Sequence, residues 1–203
     1  MKHDMLAPWA EAVPTAGLLT ADDLMKRQDV DWQYELVEGR LVRMAPTGLE
    51  HFYITDALLD ALKAFVKAHK SGIVTLPDTG FIFSGANAPD TVLSPDIAFL
   101  STETMRQLPA RGTAEGKKYL PVVPDLVAEV ASPDRYHPEM AEKARLYLRF
   151  GVRLVWIVWP TQQQVDVWLP NTESPQTLGM VDHLDGLQAL PGFSYPVANL
   201  FDG

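Results

Sequence analysis

Leu126–Val130 is apolar throughout except for Glu129, and Leu154–Val158 has no polar residue at all. Both runs read as strands, and Leu126–Val130 as one buried on both faces of a sheet. Such a strand needs a covering layer on each side, and two segments of the chain can supply one. His51 to His69 sets Ile54, Leu58, Ala61, Leu62 and Phe65 on one face at three- and four-residue spacing. Pro138 to Phe150 does the same with Met140, Ala144, Tyr147 and Leu148, with Pro138 suited to the first turn and Gly151 to the stop.

The remaining chain fills in around these elements. Thr20 reads as the N-cap of a short helix to about Arg27, with Asp22 and Asp23 in its first turn. Trp32–Val37 and Arg40–Met44 form a hairpin about Glu38-Gly39. Gly72 is the expected stop of the long helix. Strands are expected at Ile73–Leu76, Gly80–Ser84 and Val92–Leu100, with a loop over Gly85–Asp90. Residues 101–120 are polar and read as a surface excursion or a short helix around Thr102–Leu108. Leu154–Val158 and Val165–Leu169 pair through Pro160-Thr161, and the tail from Leu190 runs over the surface, tucking in Phe193, Leu200 and Phe201. The pattern predicts an α+β fold: a mixed central β-sheet flanked by helices. An irregular N-terminal arm (1–18) precedes one domain (19–203).

Composition narrows the function classes. At 203 residues and 47% hydrophobic, the chain can bury a sizeable core. It has no cysteine, so disulfides and thiolate metal sites are excluded. No apolar run approaches membrane-spanning length, and Asp4 and Pro8 break the N-terminus, so neither a membrane anchor nor a secretory signal is expected, and the cytoplasm is. A net charge of −9 weighs against tight non-specific binding to DNA phosphates, although net charge does not fix where the charges lie.

Three charges fall where the pattern is apolar. Asp96 lies in VLSPDIAFL, Glu129 in DLVAEVAS, and Lys143 on the second helix. Burying a polar group without a partner costs roughly 2–7 kcal/mol, and a charge costs more. Two carboxylates on neighbouring strands would be compensated by a divalent ion, which acidifies a bound water and polarises a phosphoryl oxygen. A nearby ammonium would stabilise charge developing on the phosphate. Each residue also has a plainer reading. Asp96 can cap a turn at a strand end, and Glu129 can bridge to an arginine. Lys143, four residues after Glu139, reads by spacing alone as half of a surface ion pair.

The pieces YELVEGRLVRMAPTG, His51 at a helix head, LSPDIAFL, PDLVAEVASP, EKARLYLRFGV and VWIVWP occur in that order, and PGFSYPVANLF closes the chain. Together they resemble the bacterial Uma-two family of restriction endonucleases, within the PD-(D/E)XK nuclease superfamily, from about Leu19 to Leu169. The resemblance implies a restriction-endonuclease-like core and a Mg2+ (or Mn2+) site. It matches Pro95-Asp96 to the P-D pair and Glu129 to the second acid. The lysine expected two residues later is absent, since residue 131 is alanine, and the resemblance implies a displaced lysine at Lys143. Glu35 matches a further acidic position and the Val130 carbonyl a further metal ligand; His51, a candidate base, otherwise reads as a cap or surface residue. Glu35 otherwise reads as an outward strand residue.

Catalytic Glu35, Asp96, Glu129 and Lys143, with metal on Asp96 and Glu129, would make the chain a DNA-hydrolysing endonuclease. A homodimer is compatible with the resemblance. The alternative is a binding or regulatory module on the same fold, favoured by the acidic balance and by Ala131. Tyr147 and the five tryptophans read as core. Arg106, Arg111, Lys117 and Lys118 are candidate phosphate contacts, or simply a solvated loop.

Overall fold

A computed structural model describes residues 11–13, 15, 17–27, 33–44, 46–83, 90–109, 119–132 and 137–202. The first part of the chain holds β1 (Glu11–Ala12), α1 (Ala21–Lys26), β2 (Tyr34–Val37), β3 (Arg40–Arg43), α2 (Leu49–His69), β4 (Gly72–Thr75), β5 (Gly80–Ile82), β6 (Val92–Leu93), β7 (Ile97–Ser101) and α3 (Thr102–Met105). The second part holds β8 (Tyr119–Leu120), β9 (Leu126–Val130), α4 (His137–Arg149), β10 (Leu154–Trp159), β11 (Gln164–Trp168), β12 (Gln176–Leu178), β13 (His183–Asp185) and β14 (Ser194–Pro196), then a 3-10 turn at Val197–Leu200.

The strands make two six-stranded mixed sheets rather than one, with β13 and β14 as a separate two-stranded pair. The first runs β1-β3-β2-β6-β5-β8 and the second β12-β11-β10-β9-β7-β4. In the second sheet β9 and β10 are parallel while β7 and β9 are antiparallel. The division follows from the break at Ser94–Asp96. The single strand expected over Val92–Leu100 is two, β6 in one sheet and β7 in the other, and Asp96 sits at the bend between them.

Side-chain alternation along the strands decides what each face meets. Leu126, Ala128 and Val130 of β9 pack with Ile54, Leu58, Leu62 and Val66 of α2. Val127 points the other way, into a second core shared with Val37 and Val42 of the first sheet and Met140, Ala144 and Tyr147 of α4. Leu36 and Leu41 face outward onto α1. Thus α4 fills the space between the two sheets. Glu129, two residues after Val127, and Glu35, two before Val37, take the parity that points toward it.

Several local details differ from the sequence reading. Helix α2 ends in a left-handed residue at Lys70 (φ 51°), not at Gly72. Gly72 is required for another reason: a Cβ there would lie 2.0 Å from the Leu100 carbonyl oxygen across the β4–β7 pairing. The tail is more ordered than a surface strap, since β14 pairs with β13 and Phe193 and Leu200 are buried. Within the expected irregular arm, Glu11–Ala12 pairs with β3. Residues 1–10, the loop over 84–89, Arg111, Lys117 and Lys118 lie outside the described residues. Thr20 does cap α1, in a reciprocal capping box with Asp23. No helix among the described residues is long and apolar enough to cross a membrane.

Candidate functional site

Asp96 and Glu129 meet through strand register. Ile97 pairs with Ala128 in the antiparallel β7–β9 ladder, so the next position back sets Asp96 opposite Glu129. The Val130 N–H donates to Asp96 Oδ2 at 2.7 Å, which anchors the bend to β9. His51, in the first turn of α2, reaches the same oxygen, with Nε2 3.0 Å away. Its other ring nitrogen lies 3.3 Å from the Thr55 hydroxyl one turn on.

Glu129 is held from the opposite layer. Lys143 Nζ lies 2.9 Å from Glu129 Oε1, and the Tyr147 hydroxyl donates to the same oxygen at 2.5 Å. Both side chains come from α4, four residues apart and hence on one face of the helix. Glu35 completes the cluster: its Oε1 accepts from the Ser94 N–H at 2.8 Å and stands 3.5 Å from Lys143 Nζ. Lys143 and Glu35 are 2% and 1% exposed, so neither the surface-pair reading of Lys143 nor the outward reading of Glu35 describes the molecule.

Among the described residues the donors to all three carboxylates fall on one oxygen each: Asp96 Oδ2, Glu129 Oε1 and Glu35 Oε1. Among the described residues Glu35 Oε2 is buried without a hydrogen-bond partner. Three carboxylates against one ammonium leave the cluster short of positive charge, and the protonation equilibria reflect it. Burial pushes the Glu129 carboxyl up to about 7, with Lys143 pulling it down and Asp96 and Glu35 adding to the rise. Burial opposes the charging of Lys143, but Glu129 and Glu35 outweigh it and hold the ammonium above its ordinary value. For His51 burial likewise opposes protonation, and the Asp96 hydrogen bond and charge, with Glu129, prevail and raise its pKa. Burial, then Glu129, pushes the Tyr147 hydroxyl well up, so it acts as a donor.

The cluster opens into a cleft of about 440 Å³ lined by Glu35, His51, Asp96 and Glu129. Among the described residues no group of three or more His, Cys, Asp or Glu side chains is arranged to hold a metal ion by itself. Two facing carboxylates with spare oxygens, and a third behind them, suit an ion that keeps most of its waters, as Mg2+ does. The other buried acids are satisfied structurally. Asp125 accepts from Arg153 and from the Ser101 N–H, and Asp166 from Trp159 and Thr177.

The chain belongs to the Uma2 family, described as "putative restriction endonuclease", whose pattern matches residues 21–198. Its fold is similar to the crystal structure of a "putative nuclease belonging to DUF820" from Anabaena variabilis. The TM-score is 0.75 at 19% identity, covering 90% of this chain and 97% of the other. No curated protein matches the sequence.

Tyr147 is the site residue that sequence reasoning assigned to the core. Its apolar spacing is genuine, because the ring is fully buried, but the hydroxyl ends at Glu129. The signal available was its four-residue offset from Lys143. His51 is legible as a candidate at a helix head, but its partner Asp96 is not.

Proposed function

We propose that the chain is a Mg2+- or Mn2+-dependent endonuclease that hydrolyses DNA phosphodiester bonds in the cleft lined by Asp96 and Glu129. One observation carries this reading. Lys143 is buried against Glu129 although it comes from a helix, while residue 131, where the superfamily resemblance expects a lysine, is a buried alanine. An ammonium inside a carboxylate cluster is costly in a purely structural role, since desolvation offsets much of its attraction.

Asp96 Oδ1 and Glu129 Oε2 would hold the ion, and the Val130 carbonyl is a further candidate ligand. When bound, the ion supplies Lewis acidity toward a phosphoryl oxygen and makes a coordinated water more acidic. The protein's own groups have separate tasks. His51 and the Val130 N–H fix the rotamer of Asp96. Tyr147 and Lys143 fix that of Glu129. Lys143 does not line the cleft, and its charge would act on a bound phosphate from behind Glu129, the kind of preorganised stabilisation that acts where charge develops. Glu35 holds Lys143 in place from the other sheet.

The absence of cysteine fits work in the cytoplasm, and a homodimer would bring two such sites to the two strands of a duplex. The net charge of −9 favours a second reading, a binding module without cleavage. The two are separated by incubating purified protein with plasmid and single-stranded DNA, with Mg2+ or Mn2+ and with chelator. Metal-dependent cleavage that Asp96→Asn abolishes supports the nuclease. DNA binding with no cleavage under any metal supports the module.

A further inference from the structure

The first turn of α2 carries three large exposed apolar residues: Leu49 at 67%, Phe52 at 57% and Tyr53 at 50% exposure. Scattered exposed apolar side chains need no explanation, but a cluster does. Of the three, Phe52 sits at the candidate site, while Leu49 and Tyr53 line a separate cleft with Pro160 and Leu200. His51, between Glu50 and Phe52, turns into the cleft toward Asp96, and Phe52 itself lines the same cleft. The Phe52 and Tyr53 rings meet in an edge-type contact, with centroids 5.7 Å apart, and Phe52 stays largely exposed.

The charge around the cleft limits what that face can take. Among the described residues lining it, Arg27 is the one arginine or lysine, against the carboxylates Glu35, Asp78, Asp96 and Glu129. A duplex presents one phosphate per about 1.7 Å of axis and is gripped chiefly by basic side chains. A single strand presents half that density and offers exposed base faces, and stacking on an aromatic ring is sequence-tolerant. An acidic cleft with an exposed phenyl ring in its lining suits the second ligand.

We propose that Phe52 is a stacking platform for an unpaired base next to the reacting phosphate. The substrate class is then single-stranded DNA, or duplex DNA opened at a flap, gap or mismatch. This rests on the nuclease reading for the identity of the reacting phosphate, but the platform can be tested without cleavage.

The test is fluorescence anisotropy with a labelled single-stranded oligonucleotide and the same sequence as a duplex, in Mg2+, on an Asp96→Asn background so that cleavage cannot consume the probe. The expected result is preference for the single strand, a loss of about fivefold or more in that affinity with Phe52→Ala, retention with Phe52→Trp, and little change for the duplex. Because Phe52 is exposed, the melting temperature of Phe52→Ala should match that of its parent. Equal affinity for the two probes, no binding of the single strand, or no effect of Phe52→Ala overturns the platform. So does a dimer that Phe52→Ala converts to monomer, which would assign the patch to a second copy of the chain. A parallel assay of the wild type separates the two ideas. Cleavage unaffected by Phe52→Ala removes the platform alone. A single-strand preference lost in Phe52→Ala, without cleavage of any DNA by the wild type, removes the nuclease reading alone.

Discussion

Lys143 Nζ lies 2.9 Å from Glu129 Oε1, joining a helix between the sheets to the face of a buried strand, and both side chains are almost fully enclosed. Removing the ammonium would leave Glu129 and Glu35 facing each other without compensation. Breaking one partner out of a buried pair costs about 3–5 kcal/mol. A surface pair of the Glu139–Lys143 kind would cost at most about 0.5 kcal/mol. Denaturant unfolding of Lys143→Ala in metal-free buffer distinguishes these values, and the larger loss is expected.

Tyr147→Phe deletes one hydroxyl and keeps the ring in its core. The hydrogen bond it removes, to an acid that ionises, is of a kind that contributes about 1.5–3 kcal/mol, so the variant should fold with a modest loss of stability. If the hydroxyl orients Glu129, the cleavage rate at saturating DNA should fall about tenfold or more while KM for DNA hardly moves. An unchanged rate alongside the lowered melting temperature would leave Tyr147 a core residue only.

The metal-free protein should lose stability as pH rises. Glu129 is pushed up to about 7 by burial, with Asp96 and Glu35 adding to the effect against the pull of Lys143, from an ordinary value of 4.5. Between those values the folded protein keeps a proton that the unfolded chain has released, so stability declines with increasing pH across that window. Melting curves from pH 4.5 to 8 should show the decline in the wild type and a flatter profile in Glu129→Gln. A wild-type profile that rises through this range would contradict the assignment.

Divalent ions should reverse that loss. A ligand that binds only the folded state raises the melting temperature by mass action. Saturating Mg2+ or Mn2+ at pH 8 should therefore stabilise the wild type, and Asp96→Asn should abolish the response. Asp96→Asn should also raise metal-free stability, because it removes like charge facing Glu129. A wild-type melting temperature indifferent to both ions would count against the site.

Much of this arrangement is legible in the sequence because it follows from periodicity. The parity that points Glu129 and Glu35 toward α4 can be read once Val127 and Val37 are known to be core. The two helices and the β10–β11 hairpin stand within two residues of the sequence expectation. What could not be read is long-range. Pro95 gives a local signal for a break at Ser94–Asp96, but no local propensity encodes that the chain passes there from one sheet to the other. Lys143 four residues after Glu139 looks like an ordinary surface pair until the helix is inserted between two sheets, where only one face can meet solvent. The Asp96–His51 contact joins residues 45 apart, and a histidine at a helix head gives no hint of a partner at that distance.

The account is tested most directly by single-turnover cleavage of DNA in saturating Mg2+, comparing the wild type with Asp96→Asn and Lys143→Ala alongside Mg2+ affinities for all three. Asp96→Asn should lose both metal binding and cleavage. Lys143→Ala should largely keep metal binding and lose about a hundredfold or more in rate, the scale of removing one electrostatic stabiliser. Equal rates for the wild type and Lys143→Ala would contradict the account, because the buried ammonium on Glu129 would then have no part in the chemistry.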